Sequence, residues 1–431
     1  MTAQVSSSPT QDVEPTQSTV LAEVRNHIGH LTLNRPSGLN ALDLPMVRSL
    51  QQHLDAWADD ANIKAVVLRG AGEKAFCAGG GIRSLYDSYK SKDTLHTVFF
   101  EEEYALDRTL HHYPKPVLAL LDGYVLGGGM GLAQGSDLRL ITERSRLAMP
   151  EVAIGYFPDV GGSYFLTRTP GQIGTYLGVS GVQIRASDAL YCGLADWYTD
   201  SSKLPELDQS LDHLQWRQSP LEDLKALLAT FAVQTLPDAP LANLRPLIDE
   251  VFAHNSVPEI VAHLRAVTAP QHREWAIETA NLLETRSPLG MAVTLEMLRH
   301  GRHLTLKQCF ELELHLDRQW FDRGDLIEGV RALIIDKDKT PLNVTGWYFP
   351  AEVDPSWSRA KELPALLAKL PRPLWISVYD GANIGPKATA DWLKTWLPDD
   401  IGVFFQDGVG VYARTAPDDA TVIHAIEKSL A

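Results

Sequence analysis

The sequence predicts an α/β fold, and three observations predict it. Short aliphatic runs that end in a turn, KAVVLRG (Lys64–Gly70) and PVLALLD (Pro116–Asp122), alternate with segments whose apolar residues recur at helical spacing. The order strand, glycine-rich turn, helix occurs at Ala65–Tyr86 and again at Val117–Gln134. Beyond about Ala186 strand signals give way to amphipathic helix, and they return only from Pro373.

Residues 1–19, MTAQVSSSPTQDVEPTQST, are rich in Ser, Thr, Pro and Gln, with no apolar stretch and no arginine. That composition predicts a disordered tail, unlike a secretory signal or a mitochondrial transit peptide, and so a cytoplasmic setting. Val20–Asn34 reads as a β-hairpin turning near Asn26–Gly29. Asp43 is placed to cap a helix whose stripe is Val47, Leu50, Leu54 and Trp57. Lys64–Gly70 is a buried strand feeding the loop Ala71–Arg83, and a helix around Glu101–Leu110 precedes the strand Pro116–Asp122.

Ser187–Asp196 reads as helix, as do Leu221–Phe231 and Pro258–Val267 within the amphipathic run Pro205–Gly301; Lys337–Trp347 reads as a loop. The last segment combines LWISVYD, a helix near Ala388–Trp396, IGVFFQ and VGVYAR, a small α/β extension without a chemistry motif. The expected division is therefore a tail (1–19), a core with the active site (20–200), a helical region (201–345) and the extension (346–431).

A net charge of −15 argues against general binding to nucleic acid or anionic membrane, while leaving room for a local basic patch around a phosphorylated ligand. Cys77, Cys192 and Cys309 are odd in number and lack CxxC spacing, so neither a disulfide framework nor a zinc site is expected, and a reducing compartment is. No apolar run approaches the ~18 residues of a membrane span.

The chemistry concentrates in Gly127–Ser163, GGGMGLAQGSDLRLITERSRLAMPEVAIGYFPDVGGS. Glycine lets backbone N–H groups approach a ligand, and one donor from each glycine turn would make a two-donor oxyanion hole. Glu151 and Asp159 stand just downstream, a pairing that suggests acyl chemistry. Each has a plainer reading: glycines that only shape turns, Glu151 as a helix-start carboxylate, Asp159 as a turn former. His111 and His112 lack metal-ligand spacing and read as surface residues, and Cys77 lacks an adjacent histidine to activate it.

Four motifs in order, LNRPSGLNAL (Leu33–Leu42), KAFCAGGGI (Lys74–Ile82), KPVLALLDGYVLGGGMGLA (Lys115–Ala133) and LAMPEVAIGYFPDVGGSYFL (Leu147–Leu166), resemble the crotonase, or enoyl-CoA hydratase/isomerase, superfamily. MPE followed by FPDVGG, with SPLGMAVTLEMLRHG (Ser287–Gly301) and EGVRALIIDKDKTP (Glu328–Pro341), is similar to its 3-hydroxyisobutyryl-CoA hydrolase branch. The resemblance spans roughly Val20–Pro341.

It implies a spiral of ββα repeats, followed by a helical region and the small C-terminal α/β extension. It implies an acyl-CoA substrate, with coenzyme A as part of the substrate and no separate cofactor or metal. Gly80 and Gly128 would supply the oxyanion donors, and Glu151 would act as base or nucleophile. Asp159 would bind the substrate's 3-hydroxyl or position Glu151 and water. By the same resemblance Glu103 would contact substrate, with a solvated helix face as its alternative. Arg83 would lie near the coenzyme A phosphates or pantetheine, with a surface arginine as its alternative, and Ala78 would line the substrate site. Hydratases carry a glutamate where this chain has Gly131, and glycine where it has Asp159. Hydration or isomerisation, or a non-catalytic binding protein, are the competing readings. Oligomeric state is open, because relatives in this superfamily often form homo-oligomers.

Overall fold

The computed structural model describes residues 18–217, 219–233, 238–339 and 341, and the strand segments 347–348, 375–379, 401–406 and 410–415. Strands β1 (Val20–Arg25) and β2 (Ile28–Leu33) pair antiparallel from Val20↔Leu33 to Arg25↔Ile28. Their turn residues Asn26 and His27 both take positive φ, 46° and 64°, as a type I′ hairpin turn requires. Helix α1 (Leu44–Ala58) starts at Asp43, whose carboxylate accepts from the Met46 amide at 2.9 Å, a cap contributing about 1 kcal/mol.

Three ββα turns follow. The first is β3 (Ala65–Gly70), β4 (Ala75–Cys77), α2 (Ile82–Ser91) and α3 (Leu95–His111). The second is β5 (Val117–Leu121), β6 (Tyr124–Leu126) and α4 (Gly128–Gln134). The third is β7 (Leu138–Ile141), β8 (Arg146–Ala148), a 3₁₀ turn at Glu151–Ile154 and α5 (Gly162–Phe165). After α6 (Ile173–Ser180) and α7 (Ala186–Tyr191), β9 (Trp197–Tyr198) completes a six-stranded sheet ordered β1-β2-β3-β5-β7-β9. The second strand of each turn goes instead into a parallel three-stranded sheet, β4-β6-β8. Of these three-residue strands, β4 and β6 lie within what reads in the sequence as loop and glycine turn, too short to show a period of two, while β8 lies in the strand-like run before Glu151. The helix expected over Ser187–Asp196 ends at Tyr191, and Gly193 turns the chain at φ 72°.

The centre of the large sheet, β3 and β5, is buried on both faces, which is why these strands are continuous apolar runs. Val66, Leu68, Val117, Ala119 and Leu121 face α1, α3 and α4, while Ala65, Val67, Leu118 and Leu120 face the helical region. That region comprises α8 (Leu204–Asp212), α9 (Pro220–Phe231), α10 (Pro240–Val251), α11 (Val257–Ala266), α12 (Pro270–Leu283), α13 (Pro288–Gly301), α14 (Leu306–Arg323) and α15 (Leu326–Val330). Proline opens most of them at a position whose N–H has no intrahelical acceptor. A π-helical turn, Arg331–Ile335, follows α15.

Strands β10 (Trp347–Tyr348), β11 (Trp375–Tyr379), β12 (Ile401–Gln406) and β13 (Gly410–Thr415) form a separate sheet ordered β10-β11-β13-β12. They match the runs WISVY, IGVFFQ and GVYAR of the sequence reading. The helix near Ala388–Trp396, most of the tail and part of the loop ending at Trp347 lie outside the described residues.

Candidate active site

The small sheet sets the site, because its strands β4 and β6 end in the two glycine turns. Gly79 takes φ 93°, and a Cβ on it would lie 3.7 Å from the Gly128 nitrogen, so the turns sit back to back. Leu42 clamps the first turn, donating to the Gly79 carbonyl and accepting from the Gly81 amide, both at 2.8 Å. Between them, the Gly80 amide has no hydrogen-bond acceptor among the described residues. Gly128 opens α4 and has no intrahelical acceptor for its N–H. Asn40, fully buried at φ 55°, braces the first turn from behind. Its amide donates to the Ala71 and Ala75 carbonyls at 3.0 and 2.8 Å, and its oxygen accepts from the Arg35 amide.

In front of the two turns lies a cavity of about 190 Å³, lined by Ala78, Gly80, Gly128, Phe99 and Phe100 together with Glu103, Glu151, Tyr156 and Asp159. Glu151 enters from the 3₁₀ turn after β8. A Cβ on Gly127 would lie 2.7 Å from its Oε1, and its Oε2 has no hydrogen-bond partner among the described residues. Asp159 follows Pro158 in a turn made by Val160 at φ 49° and Gly161 at φ 85°. The Tyr104 hydroxyl donates to Asp159 Oδ2 at 2.8 Å. Glu313 of α14 fixes this loop by accepting from the Gly161 and Ser163 amides at 2.8 Å and from the Ser163 hydroxyl.

The site is a cluster of buried acids. Glu103, Asp107, Glu151, Asp159, Glu313 and Asp317 are each less than a tenth exposed. Burial is the largest cause, and it holds Glu103, Asp107 and Glu151 well above the carboxylate range; the charge of Asp159 adds to each. Burial also pushes Asp159 and Asp317 up to about 7, against the opposing hydrogen bonds from Tyr104 and Tyr156. Glu313 is raised by burial to about 8, with its three donors pulling the other way.

The structure thus brings Ala78, Gly80, Glu103, Gly128, Glu151 and Asp159 around one cavity. Glu103 is buried, which excludes a solvated helix face, and Asp159 is both the turn former and a cavity carboxylate. Arg83 is exposed and outside the cavity wall; its guanidinium donates to the Ile334 carbonyl at 3.1 Å. It thereby ties α2 to the π-helical turn, whose Leu333 lines the cavity. Cys77 is buried with its thiol pushed up to about 12 by desolvation, which keeps it protonated and non-nucleophilic.

His111 corrects the sequence reading. It is half-buried against the Phe310 ring with Nε2 unpartnered among the described residues, and burial lowers its pKa to about 4; His112 is exposed as expected. The sequence reading also missed Tyr104, Asp107, Tyr156, Glu313 and Asp317. Their signal is acids at i, i+4 spacing (Glu103/Asp107 and Glu313/Asp317) set in otherwise apolar helical stripes. Among the described residues, no group of three or more His, Cys, Asp or Glu could hold a metal ion, and no helix is long and apolar enough to cross a membrane.

A family model described as enoyl-CoA hydratase/isomerase matches residues 28–360, most of the chain. The chain belongs to that family. Curated relatives place it on the 3-hydroxyisobutyryl-CoA hydrolase branch. The chain is 38% identical to the mitochondrial 3-hydroxyisobutyryl-CoA hydrolase of Gallus gallus and 36% to that of Homo sapiens, in each case over 75% of this chain and 83% of the relative. Among solved structures, a carnitinyl-CoA dehydratase from Mycobacterium thermoresistibile matches at TM-score 0.69 and 36% identity, covering 79% of this chain and 95% of that one. An enoyl-CoA hydratase from Rhodobacter sphaeroides 2.4.1 matches at TM-score 0.68 and 34% identity, covering 82% of this chain and 98% of that one. The ββα spiral built above is therefore the fold of this enoyl-CoA hydratase/isomerase family.

Proposed function

We propose that the chain hydrolyses 3-hydroxyisobutyryl-CoA to 3-hydroxyisobutyrate and coenzyme A, with valine breakdown as its setting. The observation that carries this reading is Glu151 and Asp159 facing one small cavity beside two uncommitted glycine amides. The cavity, about 190 Å³ and walled by Phe99, Phe100 and Tyr156, suits a short acyl group. Curated relatives named for this hydrolase support the same substrate.

The thioester carbonyl lies against Gly80 and Gly128, whose amides take the negative charge that develops on oxygen; losing one such donor typically costs ~10²–10³ in rate. Glu151, its unpartnered Oε2 in the cavity, either draws a proton from water or attacks the carbonyl to form a mixed anhydride. A pKa raised out of the usual range makes it a better base near neutrality. Asp159 accepts from the substrate's 3-hydroxyl, which selects a β-hydroxyacyl group. The chain supplies every group this route uses, and coenzyme A belongs to the substrate. Three buried free thiols suit a reducing compartment such as the cytoplasm.

Hydration is the second reading, because the two solved relatives above are named a dehydratase and a hydratase. Gly131 speaks against it, standing where hydratases carry their second glutamate. Thiol release from 3-hydroxyisobutyryl-CoA by wild type, Glu151→Ala and Asp159→Gly decides between them. Fast release that collapses in Glu151→Ala supports hydrolysis; water addition to crotonyl-CoA without thiol release overturns it.

A further inference from the structure

Hydrolysis of a thioester leaves a proton to be disposed of. The water oxygen bonds to the carbonyl carbon and the C–S bond breaks. One water proton goes to the departing sulfur and the other ends on the product acid, which ionises near neutrality. The balance is the same whether Glu151 acts as base or as nucleophile. With an acyl-CoA filling the cavity mouth, that second proton needs a route through protein.

We propose that it leaves through Asp159, Tyr104, Tyr156 and Asp317, a relay that rests on the hydrolase reading and extends it. The Tyr104 hydroxyl is 2.8 Å from Asp159 Oδ2, the Tyr104 and Tyr156 hydroxyls are 3.5 Å apart, and the Tyr156 hydroxyl is 2.8 Å from Asp317 Oδ1. All four residues are buried, and only Asp159 and Tyr156 line the cavity. Asp317 does not touch the cavity and stands next to Arg318, whose side chain is exposed and paired with Glu101 on the outer surface. Product acid gives its proton to Asp159. Once Asp159 is protonated, the Tyr104 hydroxyl turns from Asp159 Oδ2 toward Tyr156. Asp159 passes its proton to the Tyr104 oxygen, Tyr104 passes its own to the Tyr156 oxygen, Tyr156 passes its own to Asp317, and Asp317 yields it to solvent water, so each tyrosine stays neutral. The hop between the tyrosines is the long one and needs their hydroxyls to close by a few tenths of an ångström. Burial raises both Asp159 and Asp317 to about 7, so either end can take up or give a proton near neutrality.

A purely structural role for these bonds predicts something different, and the far end of the chain separates the two. Asp317→Asn and Tyr156→Phe keep shape and remove the relay, and their folding is checked by circular dichroism and thermal melting. The expected result is kcat on 3-hydroxyisobutyryl-CoA about tenfold lower with KM unchanged, and a larger solvent deuterium isotope effect as proton removal becomes limiting. Folded variants with wild-type kcat and isotope effect overturn the relay. So do variants that lose activity with the isotope effect unchanged, which marks the bonds as structural. If instead the wild type releases no thiol at all, the hydrolase reading itself fails and takes the relay with it.

Discussion

Asp107 and Gly131 share one volume. A Cβ on Gly131 would lie 2.7 Å from Asp107 Oδ2 and 2.7 Å from the Val160 Cβ. The carboxyl of α3 has therefore taken the space into which a side chain on α4 would grow. Gly131→Ala is expected to destabilise the protein by about 1–3 kcal/mol, measured by urea unfolding. Asp107→Ala in the same chain should recover part of that loss; a strictly additive double mutant would refute the shared volume.

Both oxygens of Asp107 lack partners among the described residues, and burial holds the group well above its usual pKa. Asp107→Asn keeps the shape and removes a charge next to Asp159 and Glu313. It should leave the protein at least as stable at pH 8 as the wild type, and a clear drop in melting temperature would show that the ionised form is needed.

Acids raised on folding bind protons that the unfolded chain has released. Asp159 and Asp317 at about 7 and Glu313 at about 8 give the fold stability that is full only below the unfolded carboxylate values of about 4 and is lost progressively as pH rises to and through the folded values. His30, at about 3, and His111, at about 4, act with the opposite sign, but only below the unfolded histidine value of about 6.5. The melting temperature should therefore fall between about pH 6.5 and 8.5. A flat or rising profile there would contradict the buried cluster.

Activity has its own pH dependence. Glu151 works ionised, and burial and Asp159 raise it, so kcat/KM should rise with pH above the ordinary carboxylate range. Asp159→Asn removes one of the two causes and should move the acid limb to lower pH, alongside any loss of rate. An unmoved limb would mean that the charge of Asp159 does not reach Glu151.

Asn40 is expected to matter as much as a catalytic group while touching no substrate. Asn40→Ala leaves the Ala71 and Ala75 carbonyls and the Arg35 amide without this partner and puts alanine at a positive φ, costing about 2–4 kcal/mol. Chemical denaturation measures it, and kcat should fall as the Gly80 turn loosens.

Local signals were legible wherever one residue and its neighbours decide the structure. Asp43 caps the helix it precedes, Asn26 and His27 turn the hairpin, and β3 and β5 are buried runs because the centre of the sheet is covered on both faces. The glycine turns, Glu151 and Asp159 were legible for the same reason, through motifs that are contiguous in the chain. Tyr104, Glu313 and Asp317 were not, because their roles come from α3 and α14 meeting the Asp159 loop across 55 to 161 residues of chain. Glu103 in EEEY is a substrate contact by resemblance or a solvated helix face by composition, and only the fold, by burying it, decides between the two. The sequence by itself determined the order strand, glycine turn, helix, the two glycine turns and the two carboxylates that follow them. Only the tertiary structure decided which acids are desolvated, which tyrosines reach them and how much room is left for an acyl group, since burial and long-range contact are properties of the packed chain and not of any segment of it.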